Sequence, residues 1–348
     1  DYKAACEEIE RKFKVGALSR KNPVNSYNRA LVCAGNISQG RFAFMVDDTV
    51  GRVHTSLTNS SRHLRPYISY GGTSLVSVDI KNAQPFFSLL LFIPKFFTPS
   101  SGKEFSFYSL YSSRYSISSI LNPISNTINT NQYSISRRDV ILNYIHNNLI
   151  NNKKSNLNKF NSIMIQESLQ VSGFKDIVLY MNLVRNGSFY EYFQQLLNEY
   201  RNEVLGYKTK LSRSAVKEII FFVFHSKNVI FGQRNAWVKR VFCEHFPHVY
   251  QLFKEIKKND NTRLAIILQA IETELVLKRA AKRISRERRR LPIFTIHDSI
   301  VTTEGNEEYV KSVLEDEIRK AVGVAPQLSI EYWKPSVNNN KPAANSAA

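Results

Sequence analysis

The stretch IFTIHDSIVTT at residues 293–303 sets β-branched and aromatic residues on both sides of a tight polar pair, His297 and Asp298. That pattern predicts two short β segments folded about a two-residue turn. Pro292 stands just ahead of it and stops the helix that carries the mostly basic run RISRERRR, residues 283–290. A second stretch, LVSVDI at 75–80, alternates β-branched and small residues after Gly71 and Gly72, which predicts a strand leaving a turn with Asp79 at its end. Pairing of the two stretches in one sheet would bring both carboxylates to a shared site. Taken singly, each aspartate reads as a turn or cap residue.

Around these segments the chain divides by composition. Residues 1–48 carry helix-like spacing and then a polar stretch, and GRVHT at 51–55 reads as a short strand entering a loop. The apolar SLLLFIPKFF, residues 88–97, is too short to span a bilayer and is interrupted by Pro94 and Lys95, so it reads as core. From 98 to 165 Ser, Asn, Tyr and Ile dominate, as expected of a low-complexity insertion. Helical periodicity resumes from Phe174 to Glu203 with a break at Asn186 and Gly187, and again from Ser212 to Phe246, where Pro247 is expected to end it. Leu264–Arg283 reads as one strong helix, Glu307–Val322 as the last helix and Gln327–Trp333 as a strand, before an Asn, Pro and Ala tail at 335–348 expected to be disordered.

In the full chain of 348 residues, 48 Lys and Arg face 29 Asp and Glu, a net charge of +19 that attracts phosphate backbones or anionic surfaces. No apolar run reaches the roughly 18 to 20 residues of a membrane-spanning helix, so no membrane partner is expected. Cys6, Cys33 and Cys243 form no CxxC pair; neither a zinc module nor a disulfide framework is indicated, and a reducing, intracellular setting is expected. The chain begins at Asp1 with no initiator methionine and no leader, as a fragment of a longer protein would.

Joining nucleotides requires charge stabilisation on an attacking hydroxyl and on a departing pyrophosphate, which two divalent cations bridged by a few carboxylates supply. Asp79 and Asp298 are the candidates. Between them SRSAVKEIIFFVFHS, residues 212–226, spaces Arg213, Lys217 and Phe221 four apart, with His225 one step further, so all four return to nearly the same helix face. The ordered set SVDIKNAQ (77–84), R-x3-K-x3-F (213–221) and FTIHDSIV (294–301) resembles the motifs of the family A DNA polymerases, which are distantly related to single-subunit RNA polymerases. LQAIETEL (268–275) and GSFYE (187–191) resemble further segments of that family.

The resemblance spans about residues 51–333 and implies an α+β right-hand polymerase with an antiparallel palm sheet and mainly helical fingers. Its divisions are a lead-in or thumb remnant at 1–48, palm at 49–97 and 247–334, the insertion at 98–165 and helical fingers at 166–246. It implies two magnesium ions, replaceable by manganese, on Asp79, Asp298 and the carbonyl of Ile80. Nucleotide binding is implied for Arg213, Lys217, Phe221, His225 and Gln84, and contact with the primer-template for Arg52, His54, Arg62, Arg65, Gln269 and His297. The substrates implied are nucleoside triphosphates. Two departures matter. Gln84 stands where the family carries a glutamate that crowds the sugar 2′ position, and Ser299 follows Asp298 where glutamate is common, as in the RNA polymerase branch. A single-subunit RNA polymerase or primase is therefore the alternative within catalysis, and an inactive basic nucleic-acid-binding protein the alternative outside it.

Overall fold

The computed structural model describes residues 1–18, 22–93, 96, 105, 106, 110, 175–233, 235–258 and 260–335. The Ser- and Asn-rich segment 98–165, apart from residues 105, 106 and 110, and the tail beyond residue 335 lie outside the described residues. The chain enters through two capped helices. The Asp1 carboxylate accepts from Ala4 N at 3.0 Å and starts α1 (Tyr2–Lys14); Asn22 caps α2 (Pro23–Ser38), whose first residue is a proline with no N–H to satisfy. Their inward residues Ala5, Ile9, Ala30 and Ala34 close on Leu64 in a cluster of their own. A two-stranded ribbon follows, β1 (Phe44–Val46) against β2 (Val53–Thr55). The Asp47 carboxylate holds the turn between them by accepting from the backbone N–H of Thr49, Val50 and Arg52.

The main sheet has five strands, all antiparallel: β3 (Ser69–Tyr70), β4 (Thr73–Ile80), β5 (Ile293–Ile296), β6 (Ser299–Thr303) and β7 (Leu328–Tyr332). β3 and β4 are joined through Gly71 and Gly72, both at positive φ, the backbone that a tight hairpin turn demands and that glycine adopts without strain. β4 is central, with β6 on one edge and β7 on the other. Its period of two sends Val76, Val78 and Ile80 to one face and Leu75, Ser77 and Asp79 to the other. Val78, Ile80 and Ile300 join the large core under the helices, while Leu75, Val301, Ile296 and Trp333 form a small cluster on the opposite face.

Beyond β4 come α3 (Ala83–Phe87) and a short 3₁₀ turn, Ser88–Phe92, whose apolar residues are almost wholly buried, so the SLLLF stretch is core as its composition suggests. The helical layer consists of α4 (Lys175–Arg185), α5 (Phe189–Glu203), α6 (Arg213–His225), α7 (Ala236–His245), α8 (Pro247–Ile256), α9 (Arg263–Glu272) and α10 (Lys282–Glu287). α11 (Glu307–Val322) precedes β7 and ends at Gly323 with φ 86°. Pro247 ends α7 as expected, with Phe246 as its C-cap, and also opens α8 at its first position, where its missing N–H has no partner to lose. One expectation is corrected. The segment 264–283 is not a single α-helix, because Thr273–Ala281 widens into a π-helical stretch between α9 and α10. No helix among the described residues is long and apolar enough to cross a membrane. All three cysteines are free thiols.

Candidate active site

Asp79 and Asp298 are brought together by the sheet. β4 and β6 pair so that Asp79 lies opposite Ser299, and Ile80 N donates to the Asp298 carbonyl at 3.3 Å, tying the β5–β6 turn to the end of β4. The turn is His297–Asp298, with His297 at φ 51°, a left-handed conformation that a side chain other than glycine rarely takes. Protein surrounds both carboxyls on most sides, though each keeps an opening to solvent. Burial first and the facing Asp298 second push the Asp79 carboxyl well above the usual carboxylate range. Burial and then Glu272 do the same to Asp298. Lys217 pulls both in the opposite direction, aided by Arg65 at Asp79 and Arg52 at Asp298.

The cations stand on α6. Ser212 caps that helix, its hydroxyl accepting from Ala215 N at 3.2 Å, and the four-residue spacing lines up Arg213, Lys217, Phe221 and His225. Arg213 Cζ and Lys217 Nζ lie 5.7 Å and 5.6 Å from the ring centroid of Tyr190 on α5, and Arg213 also pairs through Nε with Glu191. Phe221, 37% exposed, stacks on the His225 imidazole with centroids 5.1 Å apart. Burial, with Lys257 and Arg52 nearby, pulls His225 below its ordinary range. The neutral ring donates through Nε2 to Gln84 Oε1 at 3.0 Å, joining α6 to α3. Residues that stand 141 positions apart in sequence thus meet side by side.

The arginines assigned to nucleic acid have protein partners. Arg52 donates to Glu272 at 2.7 Å in a buried pair, its side chain 19% and that of Glu272 4% exposed, and Arg52 Nε has no acceptor. Arg62 and Arg65 both bond Glu331 on β7, at 2.9 Å and 3.3 Å, and Arg65 also lies over the Trp333 ring. His54 stands 3.8 Å from Asp47. His297 is exposed at the turn as a residue, yet partial burial of its ring first, and repulsion from the charges of Arg52, His54 and Arg65 second, lower its pKa. Gln269 is half-buried on α9, one turn before Glu272. Sequence reasoning missed Glu272, Glu331 and Tyr190. Glu272 lay within the quoted LQAIETEL, and its only signal was a carboxylate amid apolar helix residues.

The donor set suits magnesium. Two carboxylates pressed toward protonation by burial and mutual repulsion are the groups a divalent cation neutralises, and magnesium is commonly held by one or two carboxylates with substrate phosphates completing its shell. Among the described residues no group of three or more His, Cys, Asp or Glu side chains converges to make an all-protein cage.

No family model matches this sequence, and no curated protein matches it. Among solved structures the chain is similar to the POL domain of Pol1 from M. smegmatis, in complex with DNA primer-template and dNTP, at 12% identity and a TM-score of 0.34. The likeness covers 89% of this chain and 52% of that one, so this chain spans about half the length of the protein it matches. Similarity of that degree is too loose to assign a family or an activity.

Proposed function

We propose that the chain is the catalytic part of a template-directed DNA polymerase of family A type, a right hand whose palm is the five-stranded sheet and whose fingers are the helices around α6. One observation carries the reading: Asp79 and Asp298 meet at neighbouring strand ends of one antiparallel sheet, within the field of Lys217. A polyanionic substrate with a reacting phosphorus suits that combination of acidic floor and cationic wall. Asp79, Asp298 and the Ile80 carbonyl would hold two magnesium ions, or manganese in their place. Such ions, when bound, stabilise charge on the attacking 3′-hydroxyl and on the departing pyrophosphate.

The chain's own residues then bind and orient. Arg213 and Lys217 take the triphosphate, Arg213 exchanging the Glu191 carboxylate for a phosphate oxygen. Phe221 and His225 present a flat surface to the base and sugar, and Gln84, fixed by His225, crowds the position a ribose 2′-hydroxyl would occupy. That crowding favours deoxynucleotides. Arg52, His54, Arg62, Arg65, Gln269 and His297 line the approach for primer and template.

The test is extension of a labelled primer on DNA and on RNA templates with magnesium, offering deoxynucleotides or ribonucleotides, beside an Asp79→Ala control. Deoxynucleotide addition that disappears in the variant supports the proposal. Preferential ribonucleotide addition replaces it with an RNA polymerase or primase. Tight, salt-sensitive binding with no synthesis in any combination replaces it with a binding protein.

A further inference from the structure

Tyr190 has no role in the reading above, yet it is buried against the cationic wall. It is 5% exposed, and its ring faces both Arg213 and Lys217 at nearly equal distances, 5.7 Å and 5.6 Å. The two cations are one helical turn apart and repel each other. An aromatic face, negative at its centre, is attracted to each and offsets that repulsion without neutralising either charge. A carboxylate in the same place would neutralise them and compete with a phosphate. Glu191, the next residue, does contact Arg213, but at an exposed pair where the partner side chains are 41% and 50% open to solvent and the bond exchanges readily.

The start of α5 is also registered against the strand that carries Asp79. Gly187 has φ 71°, and a Cβ there would stand 3.3 Å from Gln327 Cβ and 3.5 Å from Lys81 Cδ. Lys81 N in turn donates to the Gln327 carbonyl at 2.9 Å. Three residues after this contact, Tyr190 is held at a fixed offset from the acidic pair. From these contacts we infer that Tyr190 is a positioning residue for nucleotide binding: its ring holds Arg213 and Lys217 together on the side facing Asp298, ready for the triphosphate of an incoming nucleotide. The inference rests on the proposed polymerase reading.

It is tested with Tyr190→Leu, Tyr190→Met and Tyr190→Phe, each checked by thermal melting, in two measurements. One is binding of a fluorescent deoxynucleoside triphosphate to the magnesium-loaded protein on primer-template; the other is KM and kcat for single-nucleotide addition. Loss of the ring is expected to weaken triphosphate binding and raise KM by about tenfold, the scale of losing aromatic contact with two cations. kcat changes by less than about threefold on the same reasoning. Affinity for primer-template stays within about twofold, because neither cation is assigned to its backbone. Tyr190→Phe, which keeps the ring, restores the affinity. Unchanged triphosphate affinity in a folded Tyr190→Leu or Tyr190→Met overturns the inference, as does an equal loss in Tyr190→Phe or an equal loss of primer-template binding. Wild-type protein that binds no triphosphate at all fails the polymerase reading and takes the inference with it.

Discussion

Asp298 is a destabilising residue where it stands. Burial and Glu272 oppose its charge, and its backbone hydrogen bond, Arg52 and Lys217 offset them only in part. A carboxyl whose folded pKa is raised above its unfolded value contributes stability that is fully present below the unfolded pKa and is lost as pH rises through the folded one. The metal-free protein should therefore lose stability through this carboxyl as pH climbs from about 4 to above neutrality. Asp298→Asn removes that loss. In chelator-treated protein at pH 8 the variant should be the more stable by on the order of 1–2 kcal/mol, with the gap closing toward pH 4–5. Thermal melts across the pH series check this, and a wild type that gains stability relative to the variant on going from pH 5 to pH 8 contradicts it. Synthesis by Asp298→Asn should be abolished while primer-template binding stays nearly intact, since the lost group is not a backbone contact.

At the scale of elements, the site depends on how α3, α5 and α6 are fastened to the sheet. α6 is joined to α3 through the His225–Gln84 bond, and its last carbonyls, those of Val223 and the capping Ser226, accept from the buried Lys257 ammonium at 2.6 Å and 3.2 Å. α5 is fastened by the close approach at Gly187. Gly187→Ala forces a side chain into the left-handed region and against Gln327, which should destabilise the fold by about 1–3 kcal/mol. Urea denaturation measures that loss, and a variant as stable as the wild type refutes the requirement for glycine. Much at this scale is legible beforehand. The strand ending in Asp79, the β5–β6 turn and the last helix, Glu307–Val322, follow from period, turn chemistry and flanking Gly or Asn. Pro247 ends α7 as its missing N–H predicts, but that it also opens α8 was not legible, because the same missing N–H suits the first position of a new helix.

At the scale of the molecule, the +19 charge is the property most exposed to solution conditions. Arg52, Arg62, Arg65 and Arg283 pair with carboxylates, which cancels charge of both signs equally and leaves the +19 excess to attract phosphate. Primer-template affinity should fall by about a hundred- to a thousandfold between roughly 50 and 200 mM salt, as counterion release at about five phosphates requires. Fluorescence anisotropy across that range checks it, and an affinity indifferent to salt removes the electrostatic account of binding. The chain's order alone determined the two aspartate-bearing β segments, the four-residue row Arg213, Lys217, Phe221 and His225, and the basic balance, because period, spacing and charge are local or additive properties. Only the tertiary structure decided that Asp79 and Asp298 share one end of a sheet, that Glu272 and Glu331 hold the arginines, and that Tyr190 lies beneath two cations. Those are contacts between residues far apart in sequence, and a buried carboxylate or aromatic side chain carries no mark of its partner until the core has packed around it.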